Sequence, residues 1–157
     1  MSAGLRRQVF ALLLACLALP AGADQLLMVR SGLPFPEAMT NLQAAITAHG
    51  YTVTRVQNVD VGLSKTGYKT DNYKVVFYGR RDEVAQLAEG HPEIIPYLPL
   101  NVAIFAEGSD TILVTNRPGV LAEFFPAPEL TPVFLRWEKD LTEILDTAAP
   151  FTDVAER

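Results

Sequence analysis

Residues 101–116 read Asn-Val-Ala-Ile-Phe-Ala-Glu-Gly-Ser-Asp-Thr-Ile-Leu-Val-Thr-Asn. Two mainly apolar runs, Asn101–Glu107 and Thr111–Asn116, flank the turn residues Gly108-Ser109-Asp110. Apolar runs separated by so short a turn are typical of a β-hairpin. The stretch therefore predicts a pair of antiparallel strands, and it favours a mainly antiparallel sheet.

Three further runs upstream have the composition of strands. They are Gln25–Arg30, Tyr51–Val59 and Tyr73–Tyr78, the last of which is mostly apolar and stops at Gly79. A helix is predicted from about Pro36, because apolar residues recur there at intervals of three and four, the period of one helical face. Gly50 suits the position after the end of this helix.

The second half of the chain alternates short helices with turns. Asp82 is predicted to cap a helix that ends at Gly90, the residues from His91 to Pro99 form a turn-rich connection, and Val120–Phe125 form a brief helix. For the last helix the sequence predicts Thr131 as the N-cap and Pro132 as the first residue. The predicted fold is α+β, in the order β-α-β-β-α-β-β-α-α, with helices covering one face of the sheet.

The first 23 residues have the three parts of a secretory signal peptide. Arg6 and Arg7 precede an apolar run from Val9 to Leu19, and Ala21-Gly22-Ala23 supplies an A-x-A cleavage site. Because a membrane-spanning helix needs about 20 apolar residues, the shorter run favours cleavage after Ala23 over a permanent anchor. We therefore expect a periplasmic or otherwise extracytoplasmic protein without a membrane span after cleavage.

Residues 24–157 are expected to form one domain, with no repeat and no linker. Cleavage would remove Cys16, the one cysteine of the chain, so disulfides and thiol chemistry are not expected. Residues 24–81 carry a net charge of +3 and residues 82–157 a net charge of −10. The net negative charge of the two segments together argues against nucleic acid as a partner, because nucleic-acid binding requires clustered Lys and Arg side chains.

Several stretches resemble the family known as domain of unknown function 302 (DUF302). They are Phe35-Pro-Glu-Ala, His49-Gly-Tyr, Tyr73-Lys-Val-Val-Phe-Tyr-Gly, Leu98-Pro-Leu-Asn-Val-Ala-Ile-Phe-Ala-Glu, Asp110–Asn116 and Pro118-Gly-Val-Leu. The resemblance implies a TATA-binding-protein-like α+β domain of a type that often packs as a dimer, and it implies no activity. Some members have a cysteine where this chain has Leu100, so a thiol or metal role at that position would not transfer.

No catalytic or metal site is predicted, and an enzyme is the less favoured class. His49 and His91 lack neighbours at ligand spacing, and a structural or surface role is favoured for both. The serines of the processed chain lie in turns and not in a nucleophile elbow. The sequence leaves cofactor binding unknown, since a haem held without a covalent bond requires no recognisable motif.

The loop from Asp60 to Lys74 is the candidate site for an anionic ligand or an acidic protein partner. Three lysines alternate there with tyrosines, which would add contact area to the charge. The competing interpretation is a solvated hairpin whose lysines keep a sheet edge soluble. The candidate residues are Lys65, Tyr68, Lys69, Asp71, Tyr73 and Lys74.

Two functions follow as hypotheses. The first is a non-enzymatic binding or accessory module that self-associates as a homodimer. The alternative is a carrier of a small apolar or haem-like cofactor, in a pocket lined by Phe124, Phe125, Phe134 and Trp137. The same aromatic spacing is also that of a helix pair closing the core, which is the favoured interpretation.

Overall fold

The computed structural model of the chain describes residues 25–67 and 72–150. The predicted signal peptide therefore lies outside the described residues. A five-stranded antiparallel sheet runs in the order β1-β5-β4-β3-β2. Its strands are β1 (Leu26–Ser31), β2 (Thr52–Asn58), β3 (Tyr73–Gly79), β4 (Leu100–Glu107) and β5 (Asp110–Asn116).

Two long helices cover one face of the sheet and also pack against each other. They are α1 (Phe35–Ala48) and α5 (Thr131–Ala148). Shorter helices connect the strands: α2 (Asp60–Ser64), α3 (Arg81–Gly90) and α4 (Leu121–Phe124), with 3₁₀ turns at Pro92–Tyr97 and Pro118–Val120. The expected α+β class, with a mainly antiparallel sheet and helices on one face, is confirmed.

The core lies between this helical layer and the sheet. Side chains alternate in direction along a strand, so every second residue of β3 and β4 faces the helices. Val76 and Tyr78 of β3 pair with Val102 and Leu100 of β4 on that side. Leu42 of α1 and the α5 residues Phe134, Trp137 and Leu141 close the core from above, each almost fully buried.

Helix starts are where the sequence-based predictions were wrong. The last helix begins at Thr131, with Leu130 as its N-cap, and no side chain caps it. The third helix begins at Arg81 after Arg80, so Asp82 lies inside its first turn instead of capping it. In α3 the acidic side chain of Asp82 still interacts favourably with the helix dipole, although it lies two positions after the N-cap Arg80.

Two connections also differ in detail from the prediction. The predicted loop after β2 begins with the helical turn α2, held by a hydrogen bond from the Gly62 N–H to the Val59 carbonyl at 3.0 Å. The hairpin turn has two residues instead of three, because Asp110 already pairs with Glu107. Gly108 has a φ of 62° there, a conformation that favours glycine.

The C-terminal helix is tied to the preceding 3₁₀ turn by one carboxylate. Glu138 accepts hydrogen bonds from Arg117 Nη1 at 2.8 Å and from the Gly119 N–H at 2.9 Å. No helix within the described ranges is both long enough and apolar enough to cross a membrane.

Candidate interaction surface

The described part of the lysine-rich loop does not form a single cluster. Lys65 is exposed in the turn after α2. Tyr73 and Lys74 are neighbours in β3 and so project from opposite faces of the sheet. Tyr73 lies against Phe105 with ring centroids 5.4 Å apart, whereas Lys74 donates to Asn58 Oδ1 at 2.8 Å. Tyr68, Lys69 and Asp71 lie outside the described residues, so ligand binding by this loop stays a prediction.

The face of the sheet opposite α1 and α5, which we call the open face, is largely apolar. The pairing register defines its members, because paired residues project to the same side. Its apolar side chains are Leu26, Met28, Tyr73, Val75, Phe77, Ala103, Phe105, Ile112 and Val114.

None of these apolar side chains belongs to the core cluster, and all of them except Ile112, which is 3% exposed, are at least partly exposed. The core cluster and the residues packed against it contain the alternate positions of the same strands, such as Leu27 and Val29 of β1. Met28 between them is 61% exposed, and Leu26 is 49% exposed. An antiparallel sheet with one solvated face normally alternates apolar and polar residues. Here the strands are apolar on both sides.

Charged residues mark two ends of the open face. At the end with the β4–β5 turn, Arg30 binds both Glu107 and Asp110, and its distance to Asp110 Oδ2 is 3.0 Å. The hydrogen bonds to Glu107 and Asp110 raise the pKa of the Arg30 guanidinium. At the other end of the strands Arg55 of β2 is exposed, and no described residue forms an ion pair with it. One end is thus net acidic and the other basic.

A polar network lies at the opposite side of the sheet, where β3 ends beneath α5. The Tyr51 hydroxyl donates to Asp140 Oδ2 at 2.7 Å, and Arg80 lies over the Tyr51 ring, 4.2 Å from its centroid. The same Arg80 Nη2 donates to the His49 carbonyl at 2.9 Å. The network ties the end of α1 and the end of β3 to α5, and its members are far apart in sequence.

A second set of contacts joins α3 to α5. Glu83 accepts a hydrogen bond from Trp137 Nε1 at 3.2 Å and also binds Arg136. Arg136 Nη1 lies 3.8 Å from Asp140 Oδ2, so this set continues into the Tyr51 network. Because every charged group here has a partner of opposite charge, we interpret both sets as structural.

The histidines sit among helix ends and carboxylates. His49 Nδ1 lies 2.9 Å from the Ala45 carbonyl oxygen, and Nε2 lies 3.4 Å from Glu143. His91 Nδ1 lies 3.2 Å from Glu93. In residues 25–67 and 72–150, no group of three or more His, Cys, Asp or Glu side chains could hold a metal ion.

The four aromatic residues of the predicted pocket lie in different surroundings. Phe134 and Trp137 are buried in the core, with ring centroids 5.7 Å apart. Phe125 is half-buried against Phe134. Phe124 is 66% exposed and lies outside the core. The core interpretation holds for Phe134 and Trp137, and these four residues do not line a common pocket.

Comparison with known proteins identifies the family of the chain and a protein with a similar fold. The sequence profile of the family described as "Domain of unknown function DUF302" matches residues 27–148. The chain belongs to this family. A crystal structure of an uncharacterised conserved DUF302 protein from Bacillus stearothermophilus is similar, with a TM-score of 0.71 and 19% sequence identity. The match covers 80% of this chain and 99% of that one. No curated protein matches.

The family assignment brings a fold and no specific activity. The open face of this DUF302 domain was not predicted as a site, although the sequence carried a signal for it. Tyr73–Tyr78 and Asn101–Ala106 are apolar at both odd and even positions. In an antiparallel sheet with helices on one side, such runs indicate that the second face is also covered.

Proposed function

We propose that this DUF302 protein is a non-enzymatic binding module that works as a homodimer, with the open faces of two copies packed together. The observation that carries the proposal is the apolar open face, with Met28 and Leu26 exposed at its β1 edge. Water-exposed apolar patches of this extent mark interaction surfaces in folded proteins.

The size of the open face fits a two-copy interface. Five strands spaced about 4.8 Å apart, with about six residues each at roughly 3.4 Å, give a footprint of about 24 by 20 Å, or roughly 500 Å² per copy. Two copies together bury about 1,000 Å², which is at the lower limit of the area that a specific protein interface buries. Two twisted sheets packed face to face also form a familiar layered arrangement.

The distribution of charge favours a second copy over an unrelated partner. In a two-fold dimer each residue meets a position of the same surface on its partner. With the two-fold axis crossing the strands, the Arg55 end of one copy lies over the Glu107 and Asp110 end of the other. The net acidic end of each copy then lies over the basic end of the other, with Arg55 on β2 two strands to the side of Glu107 on β4, while the apolar centre is buried.

The proposal includes the compartment. The n-region arginines, the apolar run and the A-x-A site support export with cleavage after Ala23. The processed chain would begin at Asp24, one residue before the first described residue and two before β1. Edman sequencing of the exported protein tests this point, and an N-terminus at Met1 would contradict it.

Sedimentation equilibrium of the purified exported protein tests the dimer. We expect a mass of two chains for the wild type and of one chain for Met28→Glu, because the substitution would bury a charge in the apolar contact along the β1 edge of the open face. Since Met28 is 61% exposed, the substitution should not unfold a single copy.

Leu135→Glu is the matched control. Leu135 is also an exposed apolar residue, but it lies on α5 in the helical layer, away from the open face. This variant should keep the mass of two chains. A monomeric wild type, or a Met28→Glu variant that stays dimeric, would overturn the proposed contact.

A further inference from the structure

A cleft of about 400 Å³ lies at the end of the sheet where β4 begins and β5 ends. Its walls come from the 3₁₀ turns at Pro92–Tyr97 and Pro118–Val120, from α4, and from the residues between Tyr97 and β4. The volume falls within the range of small-molecule sites, which is about 300–1,000 Å³. The cleft adjoins the open face, because Phe77, Asn101 and Asn116 line the cleft and also project to the open face in the strand register.

Exposed aromatic rings stand on the walls of the cleft. Phe124 is 66% exposed and Tyr97 is 47% exposed. Tyr97 is held edge-on against Phe125, with ring centroids 5.5 Å apart, so its ring has a fixed position. Aromatic rings bind other rings by stacking or edge contacts, and leaving both rings in water is unfavourable. A planar apolar ligand would cover them.

Proline forms much of the remaining wall. Pro96, Pro99 and Pro118 all line the cleft. Because the proline ring fixes φ, these segments lose little conformational entropy when a ligand binds. The cleft is therefore largely preformed.

Three of the polar side chains that line the cleft are uncharged amides. Gln25, Asn101 and Asn116 line it, and their side-chain amides make no hydrogen bond to any residue in the described ranges. An amide side chain offers both donors and an acceptor. A ligand edge that presents a donor beside an acceptor, as an amide or lactam does, matches this set.

Charge argues against an ionic ligand. Among the described lining residues only Arg117 is charged, and its Nη1 donates to Glu138 at 2.8 Å. An anion entering the cleft would compete with that carboxylate and would give up its own hydration.

From these observations we infer that the cleft binds an uncharged, planar aromatic molecule that carries an amide or lactam edge. The rings of Tyr97 and Phe124 contact its faces, and the amides of Asn101 and Asn116 pair with its polar edge.

Titration of the ¹⁵N-labelled protein with 2-naphthamide, followed by NMR, tests the inference. We expect saturable shifts at the backbone amides of the non-proline residues in 97–101 and 116–124, with a Kd on the order of 1 mM for a fragment of this size. Two matched probes separate the contributions. 2-Naphthoate, with the same ring and a negative charge, should bind at least about tenfold more weakly. Decahydronaphthalene-2-carboxamide, which keeps the amide but not the planar ring, should bind at least about threefold more weakly.

Variants locate the site. Phe124→Ala should raise the Kd of 2-naphthamide by about threefold to tenfold, and Asn116→Leu should raise it while reducing the preference over 2-naphthoate. Ile95→Ala is the control, because Ile95 is an exposed residue of the same 3₁₀ turn as Tyr97 and does not line the cleft. Its Kd should equal that of the wild type. Neither Phe124 nor Ile95 lies on the open face, so both variants should sediment like the wild type, and a failed cleft is thereby distinguished from a failed dimer.

Three results would overturn the inference. They are shifts that do not saturate or that spread beyond the cleft, equal affinity for 2-naphthamide and 2-naphthoate, and an unchanged Kd in Phe124→Ala.

Discussion

Two tyrosines in ring contact, Tyr51 and Tyr78, show how much the surroundings of one hydroxyl matter. Their ring centroids are 5.4 Å apart in an edge-to-face arrangement. Burial raises the pKa of both hydroxyls above the ordinary value, and for Tyr51 the hydrogen bond to Asp140 adds to this effect. Tyr78 is 1% exposed, and its hydroxyl makes no hydrogen bond to any described residue. The Tyr51 hydroxyl is thus hydrogen-bonded, whereas the Tyr78 hydroxyl is removed from water and has no hydrogen-bond partner among the described residues.

Replacing each of these tyrosines by phenylalanine should therefore change the free energy of unfolding differently at the two positions. Tyr51→Phe removes a hydrogen bond to a carboxylate, and we expect it to lower the free energy of unfolding by about 1–2 kcal/mol. Tyr78→Phe removes a buried hydroxyl without a described partner, so the free energy of unfolding should stay the same or rise by up to about 1 kcal/mol. Urea unfolding at pH 7 measures both. Equal losses in the two variants would show that the Tyr78 hydroxyl has a partner of its own.

Helix α5 contributes six buried residues to the core, as many as α1. The sequence favoured a core position for its aromatic residues Phe134 and Trp137, and the structure buries both of them and Leu141 against the sheet. The indole of Trp137 also donates to Glu83, so this side chain links α5 to α3. The helix therefore depends on Trp137 for both packing and position.

Truncation of this side chain should be costly. We expect Trp137→Ala to lower the free energy of unfolding by about 3–5 kcal/mol, because it opens a large cavity and leaves Glu83 without the indole donor. Leu135→Ala on the exposed side of the same helix should change it by no more than about 0.5 kcal/mol. Chemical unfolding followed by circular dichroism compares the two. A Trp137→Ala protein as stable as the Leu135→Ala protein would mean that the core tolerates the cavity by collapsing.

The long helices were predictable from apolar residues at intervals of three and four, and the strands from short apolar runs bounded by turn residues. Helix starts were less so, since Thr131 and Asp82 have the chemistry of N-caps but sit one or two positions inside their helices. The choice of N-cap depends on how the preceding chain enters the helix, which tertiary packing decides. The short helix Asp60–Ser64 lacked any periodicity that could reveal it.

The two candidate sites also differ in how far the sequence could predict them. The open face could have been predicted from the strands Tyr73–Tyr78 and Asn101–Ala106, which are apolar on both sides. The cleft could not, because Gln25, Tyr97 and Phe124 meet there only through the folded connections. Sequence reasoning instead selected the lysine-rich loop, where clustered charge is visible without knowing the fold.

In the whole molecule, one face of the sheet packs against the helices to form the core, and the other face is also apolar. A single copy therefore exposes Met28 and Leu26 on the face opposite the helices. Covering that face with a second copy would bring the apolar area of both sheets out of water, and the gain would appear only when two chains meet. Under the proposed dimer, stability and association are therefore coupled.

Thermal unfolding should consequently depend on protein concentration. If the folded state is dimeric and the unfolded state monomeric, mass action raises the Tm as the protein concentration rises. We expect the Tm of the wild type to increase steadily between about 1 and 100 µM protein, by on the order of several degrees, because a change of 1 kcal/mol moves the Tm of a domain of this size by about 3–6 °C. Met28→Glu should melt at one temperature across the same range, and Leu135→Glu should behave like the wild type. Differential scanning calorimetry at a fixed scan rate measures all three. A wild-type Tm that does not change with concentration would show that the open face is not closed by a second copy, whatever the mass of the protein at low temperature.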